Sequence, residues 1–269
     1  MKISSLTPLK LALISGVSIG LSYPPFFGML ALFGFIPLIR IWLTEKIIDS
    51  IKYSYFAAII ANTISLYWIG LNSGASFLPV IISLVAAILY LSIFWAILGG
   101  AVSWFKDKFN YIEYLIPFMW VSMEFIRSYG PLAFSWSNLA LTQTKFLSIL
   151  QIIDTTGSEG VAFWIMLINA ALYLSIFTNK LNPKKNLILF LIIIIPIFYG
   201  NYKFRALSNM HWEKRNVSII QPNIDPNLKW EASYRNELYE VMDSLNTIAY
   251  SLKPDLVLWP EAALPNYMR

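Results

Sequence analysis

Between Phe77 and Phe105 the chain carries not one Asp, Glu, Lys or Arg. An α-helix needs about 20 mostly apolar residues to cross about 30 Å of hydrocarbon, and in that solvent a single segment satisfies its own backbone only by becoming a helix or joining a closed barrel. Six further apolar runs lie near 7–23, 26–43, 53–71, 111–128, 158–178 and 187–204. Together they predict a polytopic α-helical membrane bundle of about seven spans over residues 1–204, followed by a polar region over 205–269. Composition agrees, since 57% of the 269 residues are hydrophobic and 13% charged, against about 45–50% and 25% in soluble domains. Lys2 and Lys10 ahead of LALISGVSIGLS have the look of a signal peptide, but no A-x-A-like cleavage site stands near residue 20 and further spans follow at once.

The net charge of +5 is distributed by the membrane and does not point to nucleic acid. With the N-terminus placed in the cytoplasm, ten basic residues fall on the inner side: Lys2, Lys10, Arg40, Lys46, Lys52, Lys106, Lys108, Lys180, Lys184 and Lys185. The opposite short connections hold only Arg127 and Lys145. This bias sets the orientation of a multi-pass membrane protein, and seven crossings put the tail from about residue 205 outside the cytoplasm.

No cysteine occurs, and His211 is the single histidine. A disulfide framework, a Cys-ligated zinc site and a cysteine nucleophile within these residues are thereby excluded. A multi-histidine metal site goes with them. No metal or cofactor is expected. His211 itself reads as a wet residue just past the last span.

Two glutamates attract attention. Trp120, Glu124 and Arg127 share one helical face of the fifth run, and ionisable groups inside a span face protein or water and not lipid. Glu124 is therefore a candidate for substrate binding or an accessory role. The plainer reading is an ion pair with Arg127, three residues on, with Arg127 reaching toward the headgroups. The connection 129–157 is long and half apolar, consistent either with a re-entrant or interface-lying segment or with a loop packed on the bundle.

In the tail, residues 215–223 read as a strand, and Tyr234, Leu238, Val241, Met242, Leu245, Ile248, Ala249 and Leu252 recur at helical spacing. Pro254 ends that helix, and DLVLW, 255–259, is a second short strand. Strand, helix, strand is one βαβ unit, and functional groups of open α/β sheets gather at the carboxyl ends of strands. Glu261 sits there, one residue past Pro260, and a glutamate in a partly apolar setting is a candidate general base.

Five stretches resemble the bacterial apolipoprotein N-acyltransferases, membrane proteins of the nitrilase (carbon-nitrogen hydrolase) superfamily. They are FAAIIANTISLYWIG (56–70), WVSMEFIR (120–127), TTGSEGVAFWIMLINAAL (155–172), VSIIQPNIDPNLKW (217–230) and LVLWPEAALP (256–265). The resemblance implies that 205–269 is the first βαβ portion of a nitrilase-like α-β-β-α sandwich. It implies transfer of an acyl chain from a phospholipid donor to the N-terminal diacylglyceryl-cysteine of a lipidated apolipoprotein acceptor, through a thioester on a cysteine. The glutamate of the family's WPEAA stretch is its general base and corresponds to Glu261. A functionally important tryptophan corresponds to Trp230, and a lysine and a nucleophilic cysteine follow later in the family.

Here the residues after Glu261 include neither lysine nor cysteine, and Ser135 precedes Trp136 where the family often has proline. The expectation is a truncated form, inactive alone, with a separately encoded C-terminal half as one expected partner. A second reading is a non-catalytic seven-span transporter, lipid-binding module or scaffold.

Overall fold

The computed structural model describes residues 6–72, 74, 76–177, 183–211, 213–225, 228–229, 231–261 and 263, with the side chains of 183–186 and 189 outside the description. The chain divides into two compact units, one of Met1–Leu71 with Ile81–Asn209 and one of Asn72–Val80 with Met210–Arg269.

Helix occupies every one of the seven apolar runs. In chain order the first unit's helices are α1 (Pro8–Gly20), α2 (Ala31–Gly34), α3 (Ile36–Thr44), α4 (Ile47–Ser65), α5 (Phe77–Phe105), α6 (Ile112–Arg127), α7 (Leu147–Leu150), α8 (Ile153–Phe177) and α9 (Pro183–Ser208), α5 beginning in the second unit. Among the described residues three are long and apolar enough to cross a membrane: α5, α8 and the Phe190–Ser208 part of α9. The helices α1 and α4 pack along each other. A side chain at Gly16 would bring its Cβ to 2.6 Å from the Ala57 carbonyl, so the small residue is what lets the two backbones approach.

The run at 26–43 is not one continuous helix. It starts as a 3₁₀ turn and is interrupted at Phe35, between α2 and α3. Pro37 follows two residues later; its ring lacks an N–H and crowds the preceding turn. The broken rung is repaired from outside by Asn169 of α8. Its Oδ1 accepts from Phe35 N at 3.0 Å, and its Nδ2 donates to the Ala31 carbonyl at 2.8 Å and to the Ile165 carbonyl at 2.9 Å. An amide side chain thus substitutes for the missing Phe35-to-Ala31 backbone bond, in a position fully closed to solvent.

The connection after α6 packs on the bundle. Its 3₁₀ turn, Leu139–Gln143, buries Leu139, Ala140, Thr142 and Gln143. Gln143 Nε2 donates to the Gly28 carbonyl at 3.0 Å, and Lys145 Nζ donates to the Pro25 carbonyl at 2.6 Å.

In the second unit, β1 (Val217–Ile219) and β2 (Leu256–Leu258) pair in parallel, with Val217 opposite Leu256 and Ile219 opposite Leu258. The crossover helix α10 (Arg235–Ser251) lies between them in sequence. The expected βαβ unit is present, with both strands shorter than the expected 215–223 and 255–259. Leu238, Met242 and Ala249 of α10 pack with Ile220, Ala263 and half-buried Val257. Beyond α10, Lys253 takes a left-handed φ of 48° and Pro254 prevents the helix from continuing.

Replacing Asn169 by Ala leaves the Phe35 N–H and the Ala31 carbonyl without their buried partner. Equilibrium unfolding of the detergent-solubilised chain is expected to show a loss of about 2 kcal/mol. A loss below about 0.5 kcal/mol would mean that the rung carries no stability.

Candidate functional site

Two carboxylates stand out, one in each unit. Glu124 lies on α6, and its side chain and that of Arg127 are each 2% exposed. Their contact, Glu124 Oε1 to Arg127 Nη2, is 3.6 Å. The same Oε1 accepts from the backbone N of Leu139 at 2.8 Å. Arg127 Nη2 in turn donates to the Ser137 carbonyl at 3.1 Å, and the Tyr23 hydroxyl donates to that carbonyl at 2.9 Å. The side chains of one helical turn therefore hold the start of the 3₁₀ turn, and Asn138 caps it through a 2.9 Å bond from Ala140 N.

The ion pair read from the i, i+3 spacing is present, but the Arg127 side chain turns into the bundle instead of reaching out of it. It is 3% exposed and turned toward Ser137. A guanidinium buried beside a carboxylate and a carbonyl avoids the cost of an unpaired charge, whereas reaching outward would leave Glu124 alone. Trp120 stacks edge-on against Phe35 and Trp95, with ring centroids 4.6 and 5.2 Å away. Its indole N–H lies beside the Glu124 carboxylate without completing a well-formed hydrogen bond. Glu124 Oε2 and Arg127 Nε are likewise buried without a partner among the described residues. A cavity of about 350 Å³ adjoins the pair.

Sequence reasoning found Glu124, Trp120 and Arg127 but missed Ser137 and Tyr23. Both act on the pair through a backbone carbonyl, and a carbonyl leaves no signature in residue type. The Asn138 cap was the one local signal available.

Glu261 lies in the second unit, on an exposed turn after the carboxyl end of β2. The turn is tied on both flanks. Ile220 N donates to the Leu258 carbonyl at 2.9 Å, Trp259 Nε1 donates to Asn246 Oδ1 at 2.9 Å, and Ala263 is buried in the small core. Because the strands are parallel, the segments leaving Ile219 and Leu258 emerge at the same end of the sheet. This is where α/β folds place reacting groups. Trp230 lies outside the described residues.

A family profile described as the apolipoprotein N-acyltransferase N-terminal domain matches residues 15–171, more than half of the chain. The chain belongs to the apolipoprotein N-acyltransferase family. It is 30% identical to the apolipoprotein N-acyltransferase of Geobacter metallireducens, over 96% of this chain and 52% of that protein. It is 27% identical to the one from Chlorobaculum tepidum, over 97% of this chain and 50% of the relative. For Rickettsia prowazekii the figures are 24%, 94% and 52%. The chain thus spans about half the length of these curated relatives.

Within the family's N-terminal region, the Glu124 pair makes a direct prediction. Glu124→Ala removes the partner of a buried guanidinium and is expected to destabilise the solubilised chain by about 3 kcal/mol or more. Glu124→Gln keeps an oxygen for Leu139 N and is expected to cost less in the same unfolding measurement. Equal losses would assign the whole effect to charge and none to the bond that holds the 3₁₀ turn.

Proposed function

We propose that this chain supplies the membrane-embedded half and the general base of an apolipoprotein N-acyltransferase. In this reading seven spans hold it in the bacterial inner membrane, with the N-terminus cytoplasmic and residues 205–269 periplasmic. The latter form the opening portion of a nitrilase-like domain. The acyl donor is a phospholipid and the acceptor is the diacylglyceryl-cysteine at the N-terminus of a lipoprotein. The observation that carries the reading is the position of Glu261, in the LVLWPEAALP stretch, on an exposed turn at the carboxyl end of a parallel strand.

The chemistry divides into two steps. A cysteine thiol attacks the phospholipid ester carbonyl, giving a thioester and releasing a lysophospholipid that takes up the proton. The acceptor amine then attacks the thioester, giving an amide and restoring the thiol. Glu261 accepts the proton from the thiol in the first step and from the amine in the second, as a positioned carboxylate can. Trp230 and Glu124 have accessory roles. The 269 residues contain no cysteine, so by themselves they form no cysteine thioester. The nucleophile and the lysine that steadies the oxyanion belong to the part of the relatives' length that this chain does not span.

The bundle suits lipid substrates. A groove of about 560 Å³ between α5 and α6 is walled by apolar side chains, among them Phe94, Leu98, Phe105, Phe109 and Met119. Its chemistry matches an acyl chain.

The test is an acylation assay, following mass gain on a diacylglyceryl-peptide and release of lysophospholipid. The chain alone is expected to be inactive, and activity is expected when the remaining half of the enzyme is supplied in trans. In that reconstituted enzyme Glu261→Gln is expected to lower turnover by about 10²–10⁴-fold. Undiminished turnover would remove Glu261 from the mechanism, and transfer by the chain alone would exclude the cysteine route.

A further inference from the structure

A cleft of about 590 Å³ opens between α9 and the elements α2, α7 and α8. Most of its wall is apolar, with Leu32, Phe146, Ile193 and Ile197 among the lining side chains. Trp164 adds only apolar surface, because its indole N–H is already spent: Nε1 donates to the Ile192 carbonyl at 2.8 Å. That carbonyl is free because Pro196, four residues on, has no N–H to give it.

The polar lining groups are few and of one kind. Ile193, Ile197 and Asn201 follow at four-residue spacing on one face of α9, so this wall turns from apolar to polar toward the C-terminal end of the helix. Ser148 Oγ donates to Asn201 Oδ1 at 2.7 Å, which leaves the two Asn201 Nδ2 hydrogens without an acceptor among the described residues. A side chain at Gly200 would collide with the Ser148 carbonyl, so a glycine is what lets α9 close on this segment and fix the amide. Lys145 lines the same cleft. Its Nζ is held by the Pro25 and Phe26 carbonyls at 2.6 and 3.2 Å, and neither partner carries a full negative charge. Among the described residues no carboxylate is paired with Lys145 or lines the cleft.

An apolar wall ending in an uncompensated cation and a free amide is the complement of a phospholipid. An acyl chain covers the wall, and the phosphate diester accepts from the ammonium and the amide. An uncharged glyceride supplies no anion, and a free phosphate leaves the wall uncovered.

We propose that this cleft holds one phospholipid molecule as a fixed part of the bundle, its acyl chain against Ile193 and Ile197 and its phosphate on Lys145 and Asn201. Little of α9 is buried by protein, so the lipid joins α9 to α2 and α7. Glu261 plays no part in this site, and binding is read on the chain alone, so failure here leaves the acyl-transfer reading untouched.

The purified, delipidated chain in detergent is titrated with short-chain phosphatidylglycerol, with diacylglycerol of the same acyl chains and with glycerol phosphate, followed by thermal shift and native mass spectrometry. Phosphatidylglycerol is expected to bind about tenfold more tightly than diacylglycerol, the value of one charge-assisted hydrogen bond, and to raise the unfolding temperature. Lys145→Gln and Asn201→Ala are each expected to reduce that preference to about threefold or less. Asn201 is exposed, so its variant keeps the test open should the Lys145 variant, which also disturbs the tether to Pro25, fail to fold. Weaker binding of glycerol phosphate than of the lipid upholds the role of the apolar wall. Equal binding of phosphatidylglycerol and diacylglycerol, glycerol phosphate binding as tightly as the lipid, absence of binding by all three, or a preference that survives Asn201→Ala overturns the site.

Discussion

A polar group enclosed in an apolar helix bundle must find its partner within the chain, because neither lipid nor a packed core supplies one. The first unit is organised by that requirement. Asn169 closes the rung that opens ahead of Pro37 and so ties α8 to the junction of α2 and α3. Trp42 Nε1 donates to Ser54 Oγ at 2.7 Å, joining α3 to α4. Glu124 and Arg127 extend the same logic from helices to a connection, since between them they hold Leu139 N and the Ser137 carbonyl. Apolar packing has no such selectivity, as many rotations of a greasy helix bury similar area. The buried bonds specify one.

That distinction explains what the sequence revealed and what it concealed. Hydropathy is a local property, so the seven apolar runs were each found to be helical without reference to any neighbour. Apolar runs bounded by proline and the helical spacing in the tail likewise located β1, α10 and β2, while the sequence left the sheet parallel or mixed and the structure pairs the strands in parallel. The interruption at Phe35 was harder to see, because its cause is local but its remedy is Asn169, far along the chain. The inward direction of Arg127 was hidden for a related reason. Spacing along α6 showed that it could pair with Glu124, yet its burial depends on Ser137 and Tyr23, which spacing does not place. Of the candidate residues, Glu124 and Glu261 have described positions. The partners that give Glu124 its geometry were largely invisible in one dimension.

Family membership fits this architecture. The profile match ends at residue 171, within α8, while the similarity to individual relatives extends over nearly the whole chain and so takes in the βαβ unit. In the proposed reading the two regions divide the labour, the bundle serving lipidated substrates and the sheet end carrying the proton acceptor.

The Glu124–Arg127 pair fastens the segment following α6 to the bundle. Hydrogen–deuterium exchange of the solubilised chain measures this directly at the amides of residues 139–143. Exchange is expected to be slow in the wild type and markedly faster at those amides in Glu124→Ala, with the amides of α10 unchanged. Rapid exchange at Leu139 in the wild type, or exchange there that is indifferent to the loss of Glu124, would contradict it.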